Sequence, residues 1–328
     1  MIVTVTPSPA IDWTVATDTF DFDAVNRARS STREASGKGV NVSWALHRAG
    51  VPTRTVFPGG GQTGRFMDEA FAEAGLPFVR VDTGREVRTN ITLITPGHST
   101  KINEPGVPLD GDQAAEFTSA VLEAARDASA VLICGSLPPS MGAGKLYELV
   151  DRLLGLGVYV AVDTSGEALS LALAAGPDLI KPNVHELAEL VGREIRTFGD
   201  VVVAAREAID RGAGSVLASL GADGAMYVDP RRALLATSRD IPFVNSVGAG
   251  DALLSGFMAS SADPAERLHT AVLWASSAVA HDSTLFPLRP ELAARITVAD
   301  LVDRDTPLGE PSAPLVSTVS SASAANDV

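Results

Sequence analysis

The chain is poor in several things at once. Its 328 residues include one cysteine, Cys134, which excludes an internal disulfide and suits a reducing compartment. Positive charge is scarce: 26 Lys and Arg stand against 40 Asp and Glu, a net charge of −14. That balance argues against nucleic acid or an anionic membrane surface as a general partner. No apolar run approaches the ~20 residues that a membrane helix needs. Met1 leads directly into a strand pattern, Ile2–Thr6, where no secretory leader is expected, and a cytoplasmic location is the expectation. Several chemical signatures are also missing. The five histidines show no His-Glu-x-x-His, and one cysteine cannot build a thiolate zinc site. The phosphate loop G-x-x-x-x-G-K-S/T is absent, because Lys38 is followed by Gly39 and Lys145 by Leu146. No Gly-x-Ser-x-Gly elbow supports a triad hydrolase, and there is no internal repeat.

What is present is ample core material, 45% hydrophobic against 20% charged, arranged in alternation. Ile2–Thr6, Thr53–Phe57, Phe78–Asp82, Ala130–Cys134, Val158–Asp163, Asp178–Lys181 and Ser215–Leu220 read as strands. Helical spacing predicts helices over 42–49, 110–127, 145–156, 186–191, 200–211, 251–260 and 265–281, with another ending at Ala74 before Gly75. Strands alternating with helices predict an α/β fold with a parallel sheet covered on both faces. Ligands in such sheets bind at the carboxyl ends of strands, so the loops after Thr6, Cys134, Asp163, Lys181 and Leu220 are expected to share one edge. Arg88–Thr95 and Ser99–Asn103 flank Pro96-Gly-His, a hairpin signal, and Ala225–Val228 with Ala233–Thr237 reads as another. Residues 13–34 carry few apolar anchors and read as an exposed excursion. Residues 308–328 turn to Ser, Ala, Pro and Thr without periodicity, and a disordered tail is expected there.

Three glycine-rich stretches invite chemistry. In Asn245–Asp251, glycines 248 and 250 precede an aspartate that opens an apolar helix. A helix start offers free N–H groups and a positive dipole end to an anion. The same residues also suit an ordinary turn and cap. Gly37-Lys38-Gly39 with Asn41 puts a cation and an amide at another helix start, which suits a phosphate or, equally, a surface turn. Gly59–Gly64 formally matches G-x-G-x-x-G with Asp82 as the distal acid, but Pro58 between strand and glycines fits a dinucleotide fingerprint poorly. Arg88 and Lys101 lie on the two arms of one hairpin and could converge on an anion or simply be solvated.

Taken jointly, Ser36-Gly-Lys-Gly-Val-Asn41, Lys181-Pro-Asn-Val-His-Glu186, Ser219-Leu-Gly-Ala-Asp-Gly224 and Asn245–Asp251 resemble the signatures of the ribokinase-like sugar kinases, the family that includes the phosphofructokinase-B type enzymes. The order and spacing cover the chain to about residue 305. Gly59–Gly64 also has a counterpart in that family, which removes the dinucleotide reading. Pro9-Ala-Ile-Asp12, Lys38, Arg88-Thr-Asn90 and Lys101–Gly106 look most like the 1-phosphofructokinase branch, with tagatose-6-phosphate kinase similar at the same places. Ser36 departs from the family's usual glycine.

The resemblance implies a three-layer α/β/α domain over 1–307 with a small β lid from about 13–34 and 88–104. It implies ATP-dependent phosphorylation of a sugar phosphate, fructose 1-phosphate before tagatose 6-phosphate or fructose 6-phosphate, with a non-catalytic sensor as the rival class. Asp251 would be the general base and Gly248, Ala249 and Gly250 the anion hole. Asp12, Gly37, Lys38, Gly39, Asn41, Arg88, Asn90, Lys101 and Ser136 would hold the sugar phosphate. Lys181, Asn183, Ser219, Gly221, Ala222, Asp223 and Gly224 would line ATP, and Asn183 with Glu186 would hold the shell of Mg²⁺. A homodimer through the lid is implied as well.

Overall fold

The computed structural model describes residues 1–281, 283, 285–300 and 303–313. The chain opens with β1 (Ile2–Val5), then β2 (Ala10–Ala16) and β3 (Ser30–Ser36). Helix α1 (Lys38–Arg48), β4 (Thr53–Gly60), α2 (Gly61–Ala74) and β5 (Phe78–Glu86) follow. A hairpin of β6 (Arg88–Thr95) and β7 (His98–Asn103) precedes α3 (Gly111–Ala125). Next come β8 (Ala130–Cys134), α4 (Ala143–Gly155), β9 (Tyr159–Asp163), α5 (Gly166–Ala174), β10 (Leu179–Ile180), α6 (Val184–Val191), α7 (Phe198–Asp210) and β11 (Val216–Ser219). The last part holds β12 (Ala225–Val228), β13 (Ala233–Ser238), α8 (Ala249–Ala259), α9 (Pro264–Val279) and β14 (Ile296–Asp300).

Ten strands form one sheet in the order β14-β13-β12-β11-β10-β9-β8-β1-β4-β5. The run from β11 to β5 is parallel and β12, β13 and β14 are antiparallel. Helices cover both faces, which is why the parallel strands are apolar on both sides. In β8, Val131 and Ile133 pack under α3 to α7, whereas Ala130, Leu132 and Cys134 face α1, α8 and α9. Chain order grows outward from β1 on both sides, through β4 on one and β8 on the other. The switch point therefore lies between β1 and β8, and a crevice opens at their carboxyl ends.

The second sheet has the order β3-β2-β6-β7. Of the stretch 13–34, residues 13–16 and 30–34 are strands of this sheet, and the mostly exposed 17–29 join them as the excursion. Its strands look irregular in sequence because one face is polar. Asp12 pairs with Asn90, and Thr92 with Lys101, so the two-residue period puts Asp12, Ser36, Arg88, Asn90 and Lys101 on one face. Trp13, Val15, Ile91, Leu93 and Ile102 share the other.

Two expectations are corrected. Pro58, Gly59 and Gly60 belong to β4 itself rather than to a loop. Residues 308–313, read as the start of a disordered tail, pack against the body: Leu308 is buried, its N–H donates to Arg196 O (2.9 Å), and Ser312 N–H donates to Ile195 O (3.0 Å). Burial of one leucine and pairing of backbone groups outweigh the polar composition here. The remainder of that expectation, 314–328, lies outside the described residues.

Candidate active site

The site gathers at the carboxyl ends of β1, β8, β9, β10 and β11. Helix α1 can start there because its glycines permit close approach. A Cβ on Gly39 would lie 2.5 Å from Thr6 Oγ1 and 2.8 Å from Val5 O. Lys38, between Gly37 and Gly39, reaches across the crevice, and its Nζ stands 2.9 Å from Asp163 Oδ1. Lys181, just past β10, puts its Nζ 3.1 Å from Asp163 Oδ2. Asp163 has no exposed side-chain surface and Lys181 only 5%, so two ammonium groups flank one buried carboxylate. Burial alone would lower the Lys38 ammonium, but the Asp163 carboxylate beside it raises it above the ordinary lysine range.

Asp251 lies in the first turn of α8, behind Gly248, which adopts the left-handed conformation with φ 77°. It is 8% exposed, and its Oδ2 accepts a hydrogen bond from Asn41 Nδ2 at 2.8 Å. Burial, joined by the negative charge of Asp163, pushes the Asp251 carboxyl up to about 6. The Asn41 amide, Lys38 and Lys181 pull the other way without cancelling it.

A polar chain links this carboxylate to the lid. Asn90 Nδ2 donates to Asp12 Oδ1 at 3.1 Å, and Ser36 Oγ donates to Asp12 Oδ2 at 2.6 Å while standing 3.1 Å from Asn41 Oδ1. Ser36, the departure from the glycine pattern, thus joins Asp12 to Asn41. Arg88 donates to the carbonyls of Ser8 and Glu104, each at 3.4 Å. Among the described residues its buried Nε and Asn90 Oδ1 have no hydrogen-bond partner. Lys101 is exposed, on the same lid face. Ser136 is also exposed and follows Gly135, which approaches the Lys38 side chain.

Beyond Asp251 lies a cavity of about 550 Å³. Ser219, Gly221, Ala222 and Gly224 line one side, and Ala249, Gly250 and Leu253 the other. Asp223, Lys181 and Asn183 do not line it, contrary to expectation: the Asp223 carboxylate accepts from Gly309 N–H at 2.7 Å, Lys181 turns to Asp163, and Asn183 caps α6. Asn183 and Glu186 form a reciprocal cap on α6: Glu186 N–H donates to Asn183 Oδ1 (2.8 Å), and Asn183 N–H donates to Glu186 Oε2 (2.9 Å). The cap leaves Glu186 Oε1 uncommitted. Among the described residues no group of three or more His, Cys, Asp or Glu side chains is arranged to hold a metal. One carboxylate oxygen completed by water and substrate phosphates still suits Mg²⁺, which keeps several waters.

The other glycine-rich turn is closed to ligands by the chain itself. At the start of α2, Gln62 and Thr63 N–H groups donate to the Glu86 carboxylate at 2.8 and 2.7 Å. These donors hold Glu86 down at about 2. A phosphate would have to displace that carboxylate, so the dinucleotide pattern at Gly59–Gly64 has no anion site behind it.

Comparison with known proteins bears on this arrangement. The profile of the pfkB family carbohydrate kinases matches residues 3–287. The chain belongs to the pfkB family of carbohydrate kinases. Among its pfkB relatives, 1-phosphofructokinase from Rhodobacter capsulatus is 36% identical over 301 residues, covering 89% of this chain and 95% of the relative. ATP-dependent 6-phosphofructokinase isozyme 2 from Escherichia coli is 32% identical over 290 residues, covering 86% and 94%. The crystal structure of phosphofructokinase-2 from Escherichia coli in complex with potassium superposes with a TM-score of 0.84 at 30% identity, covering 89% of this chain and 98% of that one. The pfkB match carries with it an ATP-binding sugar kinase on a ribokinase-like fold. Sequence reasoning missed Asp163, whose only signal is an acid closing an otherwise apolar strand. It also missed Glu310, which lines the cavity from outside the pfkB match.

Proposed function

We propose that the chain transfers the γ-phosphoryl group of ATP to a sugar phosphate, with fructose 1-phosphate as acceptor and fructose 1,6-bisphosphate as product. The observation that carries this reading is the position of Asp251. It is buried, held by Asn41, raised to about 6, and next in the chain to Gly250 on the cavity wall. A carboxylate with that affinity takes a proton from an attacking hydroxyl near neutral pH. Asp251 is therefore the general base, and the N–H groups of Gly248 and Gly250 serve the charge that develops on the transferred group, whereas the Ala249 N–H, expected to join them, donates to Ser246 O at 3.3 Å.

The sugar phosphate lies between the lid and α1. Lys38, Arg88 and Lys101 hold its existing phosphate, and the unpartnered Arg88 Nε supports that assignment. Asp12, Asn41, Asn90 and Ser136 take hydroxyls, with Gly37 and Gly39 leaving room for close approach. ATP occupies the cavity along Ser219, Gly221, Ala222 and Gly224, with Lys181 and Asn183 at its phosphate end. Glu186 and Asn183 would hold Mg²⁺, which when bound neutralises phosphate oxygens. Two chains pair through the outer faces of their lids, a reading supported by Ile102, which is 59% exposed.

A 6-phosphofructokinase activity is the second reading, favoured by the Escherichia coli relative of that name. A coupled assay of ADP release with fructose 1-phosphate, fructose 6-phosphate and tagatose 6-phosphate tests both. The highest kcat/KM is expected with fructose 1-phosphate, since specificity is a ratio of these constants. Preference for another of the three replaces the acceptor. Absence of turnover on all of them removes the kinase and leaves a sugar-phosphate sensor.

A further inference from the structure

Residues 303–313 run across the body as a strap, outside the stretch matched by the pfkB profile. Phe198 N–H donates to Thr306 O (3.1 Å) and Gly199 N–H to Arg304 O (2.8 Å). Pro307 bridges to Thr197, and Ile195 N–H donates to Ser312 Oγ at 2.9 Å. Leu308 is 6% exposed. Gly309 N–H is held by Asp223 at 2.7 Å, which ties the strap to the turn Gly221–Asp223 on the cavity wall. The next residue, Glu310, lines that cavity. Its Oε2 lies 2.6 Å from where a Cβ on Gly221 would stand. No hydrogen bond or ion pair holds the Glu310 carboxylate within the described structure.

The cavity is divided chemically. Its phosphate end is at Ala249 and Gly250, where α8 begins. Leu253, Val272, Ala275 and Val279 supply an apolar portion suited to a purine ring. An ionised carboxylate accepts hydrogen bonds and donates none, so it suits hydroxyl or amine donors and repels phosphate. The part of a nucleotide left between base and phosphates is the ribose, which carries two hydroxyl donors.

We propose that Glu310, held at the cavity by the C-terminal strap, accepts a hydrogen bond from the nucleotide ribose and makes the enzyme select ribonucleotides over deoxynucleotides. This inference rests on assigning the cavity to ATP. A site built to hydrogen-bond a hydroxyl discriminates strongly against the analogue lacking it. Bonds to charged groups are the stronger class, and loss of one corresponds to about tenfold or more.

The test compares ATP, 2′-deoxy-ATP and 3′-deoxy-ATP as Mg²⁺ complexes, using the full chain and its Glu310→Ala and Glu310→Gln variants. Affinity is read by calorimetry and kcat/KM by ADP release. The unaltered chain should bind at least one deoxynucleotide about tenfold more weakly than ATP. In Glu310→Ala that ratio should fall to about one, with ATP affinity reduced and the KM for the sugar phosphate unchanged. Glu310→Gln, which keeps shape and an acceptor oxygen without charge, should fall between. Equal affinity for all three nucleotides in the unaltered chain, or a ratio that survives both substitutions, overturns the proposal. Calorimetry separates the two readings: tight ATP binding without transfer to any sugar phosphate would remove the kinase assignment while still deciding the role of Glu310.

Discussion

Asn41 donates to Asp251 at 2.8 Å across 210 positions of sequence. The amide engages one carboxylate oxygen, and in the proposed mechanism the other serves the substrate hydroxyl. The same contact pulls the carboxyl back toward its ordinary carboxylate value, while burial and Asp163 outweigh it and set the balance at about 6.

Replacing Asp251 with Asn keeps the volume and a possible bond to Asn41 but removes the base. Turnover should fall by ~10²-fold or more, with little change in the KM for the sugar phosphate. Steady-state kinetics at saturating ATP decides this, and near-normal turnover would take the base away from Asp251.

The raised carboxyl also makes two pH predictions. In kcat/KM, activity should decline below about pH 6, as the free enzyme's base becomes protonated. For stability the sign is reversed from the usual salt-bridged acid. Between the unfolded value of 3.8 and about 6, the folded chain keeps a proton that the unfolded chain has released, so this group's contribution declines as pH rises through that window. The Asn variant should then be more stable than the parent at pH 7, by up to about 3 kcal/mol. Urea unfolding of both proteins at pH 4 and pH 7 measures the difference, which should shrink at the lower pH.

Asp163→Asn leaves Lys38 and Lys181 without their shared counter-charge. Breaking a buried pair by removing one partner costs about 3–5 kcal/mol. A lower denaturation midpoint is expected, together with reduced activity in the fraction that remains folded. An unchanged midpoint would mean that the two ammonium groups do not depend on Asp163.

Arg88→Met should raise the KM for the sugar phosphate about tenfold or more and leave the KM for ATP unaltered. Lys101→Ala should do less, because that ammonium is exposed and an exposed charge contributes weakly. Equal effects on both substrates would place Arg88 outside the sugar-phosphate site.

The parallel core was legible because strands covered on both faces are apolar throughout, as Ala130–Cys134 is. Helix α5 was not, since the Leu and Ala of Gly166–Ala174 alternate rather than follow a helical period. Strand β3 was hidden by its polar, largely exposed face. At the site, Asp251, Lys38 and Asn41 sat among glycines that drew attention to them. Asp163 had no such neighbours. Its significance arises only when folding brings in Lys38 from 125 positions earlier. The role of Asn183 and Glu186 as a mutual cap was likewise visible only in three dimensions, because the same spacing serves either a cap or a metal shell.

Asn41 stands in the first helix and Asp251 in the eighth, and the central strands must be in register before either can reach the other. Under the proposed mechanism, catalytic competence is therefore a property of the completed sheet and not of any stretch along it. A partly assembled chain would have no residual activity to be selected or rescued. Heat inactivation should then follow the loss of the whole domain in a single step, and activity itself becomes a gauge of how much of the population is intact.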